Sequence, residues 1–143
     1  MTRFNYSSIL LAAGFTGLAA SLALSLPAAA ETIDCAKAES TVEINFCADK
    51  DYQAADKALN AEYALSLKSV RSRTLEKPYD AKSAEEALKT AQRAWIAYRD
   101  ADCKGVVAQV WTNGTGATSA ILMCMTDKTV QRTKELNAQF QEH

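Results

Sequence analysis

The sequence predicts an all-α protein: a small, disulfide-stapled bundle of about three antiparallel helices that follows a cleaved signal peptide. Three observations carry this expectation. Apolar residues recur at spacings of three and four along three long segments, which is the period of one helix face. No segment shows a convincing run of the alternation that marks a strand. Four cysteines follow an N-terminus of export type, and exported thiols are oxidised.

Residues 1–30 have the three-part layout of a secretory signal. Arg3 supplies a sparse positive region, an apolar stretch runs from about Ile9 to Leu26, and Pro27-Ala28-Ala29-Ala30 offers small residues for cleavage. The mature chain, residues 31–143, is expected to start at Glu31. The first cysteine, Cys35, follows Thr32-Ile33-Asp34 and not a lipoprotein-type Leu-Ala-Gly, so neither a lipid nor another stable membrane anchor is expected after cleavage. The expected location is periplasmic or secreted.

Removing 30 residues from 143 leaves 113, enough for one small domain and too few for two. The signal takes one of the 16 basic residues and none of the 17 acids, leaving a mature charge of about minus two. That balance argues against nucleic acid as a partner and against a polybasic membrane-surface role. The cysteines lack paired Cys-x-x-Cys knuckles, and the one histidine is His143, so a metal site is not expected, nor is any cofactor implied. Two disulfides are the simplest use of the thiols. Each adds about 2–4 kcal/mol, chiefly by restricting the unfolded chain, in a domain with limited apolar area to bury.

The elements follow in order. After a lead-in over residues 31–40, Ser40 or Thr41 with Glu43 nearby reads as a helix start. Tyr52, Ala55, Leu59, Tyr63, Leu67 and Val70 then form one apolar stripe, while Asp49, Lys50, Gln53, Lys57, Asn60 and Lys68 fall off it. The stretch 71–80 contains Pro78 and forms the first connection. Ser83 with Glu86 has capping-box spacing and restarts a helix, whose inward stripe reads Leu88, Ala91, Trp95, Tyr98, Cys103 and Val106 and which ends between Val110 and Asn113. Thr112-Asn113-Gly114-Thr115-Gly116 reads as a loop in which two glycines allow unusual backbone angles. A third helix begins near Thr118 and carries Ile121, Cys124, Met125, Arg132, Leu136 and Phe140.

An up-down-up arrangement of these helices brings Cys47, Cys103 and Cys124 to one end, and Cys35 can fold back onto it. Four cysteines allow three pairings. Cys35 with Cys47 and Cys103 with Cys124 are favoured, because both pairs are local and each is closed by a short turn.

Residues 91–103, AQRAWIAYRDADC, concentrate aromatic, charged and thiol groups on one helix. As catalytic parts they are poor: no histidine is near, no nucleophile has an evident base, and Cys103 is expected to be oxidised. A glycosidase-type carboxylate pair built on Asp100 or Asp102 needs a sugar cleft that so small a bundle hardly provides. No enzymatic activity is expected. The structural reading is better supported: Trp95 and Tyr98 supply apolar area, Cys103 ties the helix to its neighbour, and Arg99 or Asp102 pairs with charges on adjacent helices. Arg132 is the first candidate partner of Asp102.

These residues also carry a resemblance. Gln92-Arg93-x-Trp95-x-x-Tyr98-Arg99-Asp100-x-x-Cys103, followed by Cys124, Thr129, Arg132 and Leu136, resembles the LprI-like family of exported bacterial proteins. Cys35, Cys47, Tyr52 and Leu59-Asn60-x-x-Tyr63 are similar to the family's first-helix pattern, so the likeness spans about Asp34 to Leu136. It implies a small helical disulfide-bonded domain and lysozyme inhibition, the activity from which the family takes its name. Lysozymes are generally basic with two carboxylates in the cleft, which a mildly acidic inhibitor would suit. The candidate contact is the loop carrying Trp111, Asn113, Gly114 and Gly116, with Trp111 as an anchor, although Trp111 could instead close the end of the bundle. The alternative function is an envelope protein-binding module of other specificity. Oligomeric state is not legible.

Overall fold

The computed structural model describes residues 33–140. The segment expected to be a signal peptide, residues 1–30, and His143 lie outside the described residues. Within them every regular element is helical: a 3₁₀ turn, Cys35–Lys37; α1, Thr41–Ser72; α2, Ala81–Asp100; a π-helical segment, Ala101–Val107; a single turn, α3, Ala108–Val110; and α4, Ala117–Phe140.

Helix α1 begins where Ser40 and Glu43 predict it. The Ser40 hydroxyl accepts from the Glu43 N–H at 3.2 Å, and the Glu43 carboxylate accepts from the Ser40 N–H at 3.0 Å. This reciprocal box satisfies two N–H groups that the helix leaves without partners. The Ser40 N–H bond, reinforced by the Ser40 hydroxyl, holds the Glu43 carboxyl below the usual carboxylate range. Helix α2 departs from expectation by one turn. Asp80, not Ser83, is its N-cap, and Ser83 is the return partner: Asp80 Oδ1 accepts from the Ser83 N–H at 2.6 Å, and the Ser83 hydroxyl accepts from the Asp80 N–H at 3.1 Å. A short carboxylate in extended backbone three residues upstream captures the Ser83 N–H, and Glu86 is left free to hold Lys89.

Cross-helix bonds establish the up-down-up order. Arg71 near the end of α1 holds Glu85 near the start of α2 at 2.6 Å. Ser69 donates to the Phe140 carbonyl at 3.0 Å, so α1 and α4 finish together and run parallel. Gln92 meets Arg132, and Asp102 meets Lys128, so α2 runs opposite to α4. Helices α1 and α4 pack closely along their lengths, while α2 stands off from α4. The side chains between explain the difference: Gln92, Trp95 and Arg99 are long.

The core falls into two parts. One contains Leu59, Val70, Leu88, Leu136 and Phe140, with Tyr63, Leu67, Ala84 and Trp95 packed against it. The other surrounds the fully enclosed Cys103, with Ala48, Ala55, Ala117 and Met125 buried toward that end. Both disulfides form in the favoured pairing, Cys35 with Cys47 and Cys103 with Cys124.

The predicted α1 stripe is inward, but the α2 stripe is displaced by one residue. Ala91 and Tyr98 are exposed, and Gln92 and Arg99 are buried in their stead. Val106, expected inside, is 56% exposed, and Val107 is half-buried. A π-helical turn holds more residues than an α-helical one, so the segment after Cys103 rotates its valines relative to an α-helix.

Candidate functional site

The buried positions on α2 build the centre of the motif region. Leu88, Gln92, Trp95, Arg99 and Cys103 follow one another at spacings of three and four, so they share a face aimed between α1 and α4. Arg99 is only 6% exposed. A guanidinium so enclosed must find partners, because an unpaired buried charge is strongly unfavourable. Its Nε donates to Asp100 Oδ1 at 3.0 Å, and Nη2 stands 2.9 Å from the same oxygen. Nη1 donates to the Thr129 hydroxyl at 3.3 Å and lies 3.6 Å from Asp56 Oδ1. The guanidinium carbon is 5.2 Å from the Trp95 ring centroid and 5.6 Å from that of Tyr52, so two aromatic rings flank the cation. One side chain thereby joins all three long helices.

Burial alone would raise the Asp100 carboxyl, but hydrogen bonds from Lys104 and Arg99 outweigh it and hold the group below its ordinary range. A glycosidase acid needs the opposite shift, so Asp100 is unsuited to donate a proton near neutrality. Asp102 pairs with Lys128 at 3.0 Å, not with Arg132 as expected. The Tyr98 hydroxyl accepts from the same ammonium at 3.0 Å; this bond, then Asp102, raises the Lys128 amine above its usual value. Arg132 is engaged elsewhere: its Nε donates to Gln92 Oε1 at 3.1 Å, and Nη1 holds Glu135 at 3.2 Å. Lys128, four residues before Arg132 on α4, faces the later part of α2 because the helices run in opposite directions.

Asp102, Cys103 and Cys124 bring oxygen and sulfur atoms within 4.8 Å of one another, a spacing a metal could use. Both sulfurs are joined in the disulfide, however, and thiolate is the form that ligates.

The loop from Trp111 to Gly116 is tied by Gly114 N–H to the Trp111 carbonyl at 2.8 Å and by Ala117 N–H to the Gly114 carbonyl at 2.9 Å. Its left-handed residues are Thr112 (φ 50°) and Asn113 (φ 52°), while neither glycine has positive φ. Gly116 is needed for close approach: a β-carbon there would overlap the six-membered ring of Trp111. The indole thus lies across Gly116 and remains 48% exposed. It neither closes the bundle end completely nor projects freely.

Sequence reasoning found Gln92, Trp95, Arg99, Asp100 and Thr129 as motif members but missed Asp56, the α1 carboxylate facing Arg99. Its signal was its position four residues after Tyr52, on the same side of the helix. Lys128 was also missed, and its signal was the same one-turn offset from Arg132.

Among the described residues, the fold and this centre define a class: a small all-helical domain, stapled twice by disulfides and knit together by a buried arginine. The family model described as lysozyme inhibitor LprI matches residues 34–136, and the chain belongs to that family. It is similar to an uncharacterized protein of Rhizobium meliloti (strain 1021), 42% identical over 108 residues that cover 72% of this chain and 76% of that protein. No solved structure matches it. No helix among the described residues is long and apolar enough to cross a membrane.

Proposed function

We propose that the protein is exported by its N-terminal segment, cleaved before Glu31, and acts in the periplasm or outside the cell by binding a lysozyme and blocking it. The observation that carries this reading is the family match over residues 34–136, which spans nearly all of the described domain. The chemistry is compatible with a binder. Asp100 and Asp102 are engaged by cations, Cys103 and Cys124 are oxidised, and a half-exposed tryptophan sits on a loop beside the disulfide-bonded end. The contact in this reading is the loop carrying Trp111, Asn113, Gly114 and Gly116. Trp111 would act as the anchor, held by its seat on Gly116 and so losing little freedom on binding.

The test is titration of the oxidised chain, residues 31–143, into a cell-wall lysis assay with chicken-type, goose-type and invertebrate-type lysozymes. Saturable inhibition of one type at near-equal stoichiometry is expected. Absence of inhibition by helical, thiol-free protein would instead favour an envelope binding module with a different target.

A further inference from the structure

We propose that a groove between the first turns of α1 and α4 receives a lysine or arginine side chain of a basic partner protein, making this end of the bundle the docking face. The proposal rests on the inhibitor reading and names the surface that meets the enzyme. The groove holds about 630 Å³ and is walled by Val42, Phe46, Ile121, Leu122 and Met125. Val42 is 75% and Phe46 49% exposed, one turn apart on the same side of α1.

The polar atoms set among these apolar walls decide what fits. Asp49 presents a carboxylate one turn beyond Phe46, one oxygen of which accepts from the Gln53 amide, and the enclosed Oδ1 of Asn45 has no donor. Burying an acceptor without a partner is unfavourable. Lys104, the cation among the lining residues, is already held by Asp100 at 2.8 Å. The groove therefore combines an apolar wall for an aliphatic stem with the Asp49 carboxylate for a cationic head, the two halves of a lysine or arginine side chain. The Tyr52 ring, also in the lining, is the one that flanks Arg99, so the groove borders the buried centre of the bundle.

Charge distribution selects the same partner. Residues 33–56, which form this end, carry six carboxylates (Asp34, Glu39, Glu43, Asp49, Asp51, Asp56) against two lysines. Residues 68–93, at the far end, carry seven cations against four acids. The small net charge conceals this separation, and a basic partner is drawn to the acidic end within the screening length of about 10 Å. A second copy docked through the same end would bring two acidic ends together and is disfavoured. Thr118, two residues after Gly116, also lines the groove, so a partner seated there reaches the Trp111 loop as well.

The experiment measures binding of the oxidised wild-type protein to the three lysozyme types by titration calorimetry at two salt concentrations. Asp49→Asn, Phe46→Ser and the far-end control Glu76→Gln are then measured, each first shown to keep the wild-type helical spectrum and melting temperature. The expected result is at least about tenfold weaker binding for Asp49→Asn and Phe46→Ser, a shallower salt dependence for Asp49→Asn, and no change for Glu76→Gln. Wild-type affinity in both groove variants would overturn the docking face and leave the inhibitor reading intact. If the wild-type protein binds none of the three enzymes, the function and the docking face fall together.

Discussion

Arg99 and Trp95, one turn apart on α2, are stacked, with the guanidinium carbon 5.2 Å from the indole centroid, in the space between α1 and α4. The pairing makes the centre of the bundle polar and aromatic where a purely apolar layer would otherwise stand. Asp100, Asp56 and Thr129 converge on the same cation.

Arg99→Ala removes the side chain packed between Trp95 and Tyr52 and the donor to Thr129, while Asp100 keeps Lys104, and a loss of about 2–4 kcal/mol in urea unfolding is expected, chiefly from lost packing. Arg99→Lys should recover less than half of it, because an ammonium cannot serve Asp100 and Thr129 as a planar fork does. Equal stability of Arg99→Lys and wild type would show that charge alone suffices.

The pair Asp102 and Lys128 is partly exposed, and a double-mutant cycle on it should yield a coupling of no more than about 1 kcal/mol. The cycle between Asp102 and Arg132 should yield none. Coupling in the second cycle and not in the first would contradict the register of α2 against α4.

Removal of the Cys103–Cys124 bridge, by Cys103→Ser with Cys124→Ser, opens a link across 21 positions and should cost about 3 kcal/mol by the chain-entropy relation. Cys35→Ser with Cys47→Ser should cost less in total. Its link spans 12 positions, and it leaves no hydroxyl in a fully enclosed site such as that of Cys103. Chemical denaturation of the two double variants checks the order.

Acid should weaken the junction of α1 and α2. Hydrogen bonds from Arg71 and then Lys89 lower the Glu85 carboxyl from 4.5 to about 2. The folded value lies below the unfolded one, so the contribution is complete above about pH 4.5 and is lost as pH falls toward 2. Melting temperature followed by circular dichroism should therefore fall through this window. Glu85→Gln should melt lower near neutrality and show a flatter profile in acid; a profile parallel to wild type would remove Glu85 as a contributor.

Gly116→Ala places a methyl group against the Trp111 ring and should swing the indole into water. A red-shifted fluorescence component, absent from the Gly116→Ala/Trp111→Phe double variant, is the expected sign. An unchanged spectrum would mean that the loop moves as a unit.

Local chemistry made much of this molecule legible in its sequence. Ser40 and Glu43 specify the start of α1 between themselves, the α1 stripe from Ala55 to Val70 has the period of a buried face, and cysteines 12 and 21 positions apart pair with their nearest neighbours because short loops close at least entropic cost. The family is legible for a similar reason, since the Trp95 to Cys103 spacing lies within one helix. The face that α2 turns inward was decided only by tertiary structure. Leu88, Ala91, Trp95 and Tyr98 satisfy helical periodicity as well as Leu88, Gln92, Trp95 and Arg99 do, and apolarity favours the first set. The second set is buried because Arg132 meets Gln92, while Asp100, Asp56, Thr129 and two aromatic rings meet Arg99. A charge is tolerated inside a protein only when its partners arrive, and most of those partners come from other helices, which no pattern within α2 can register.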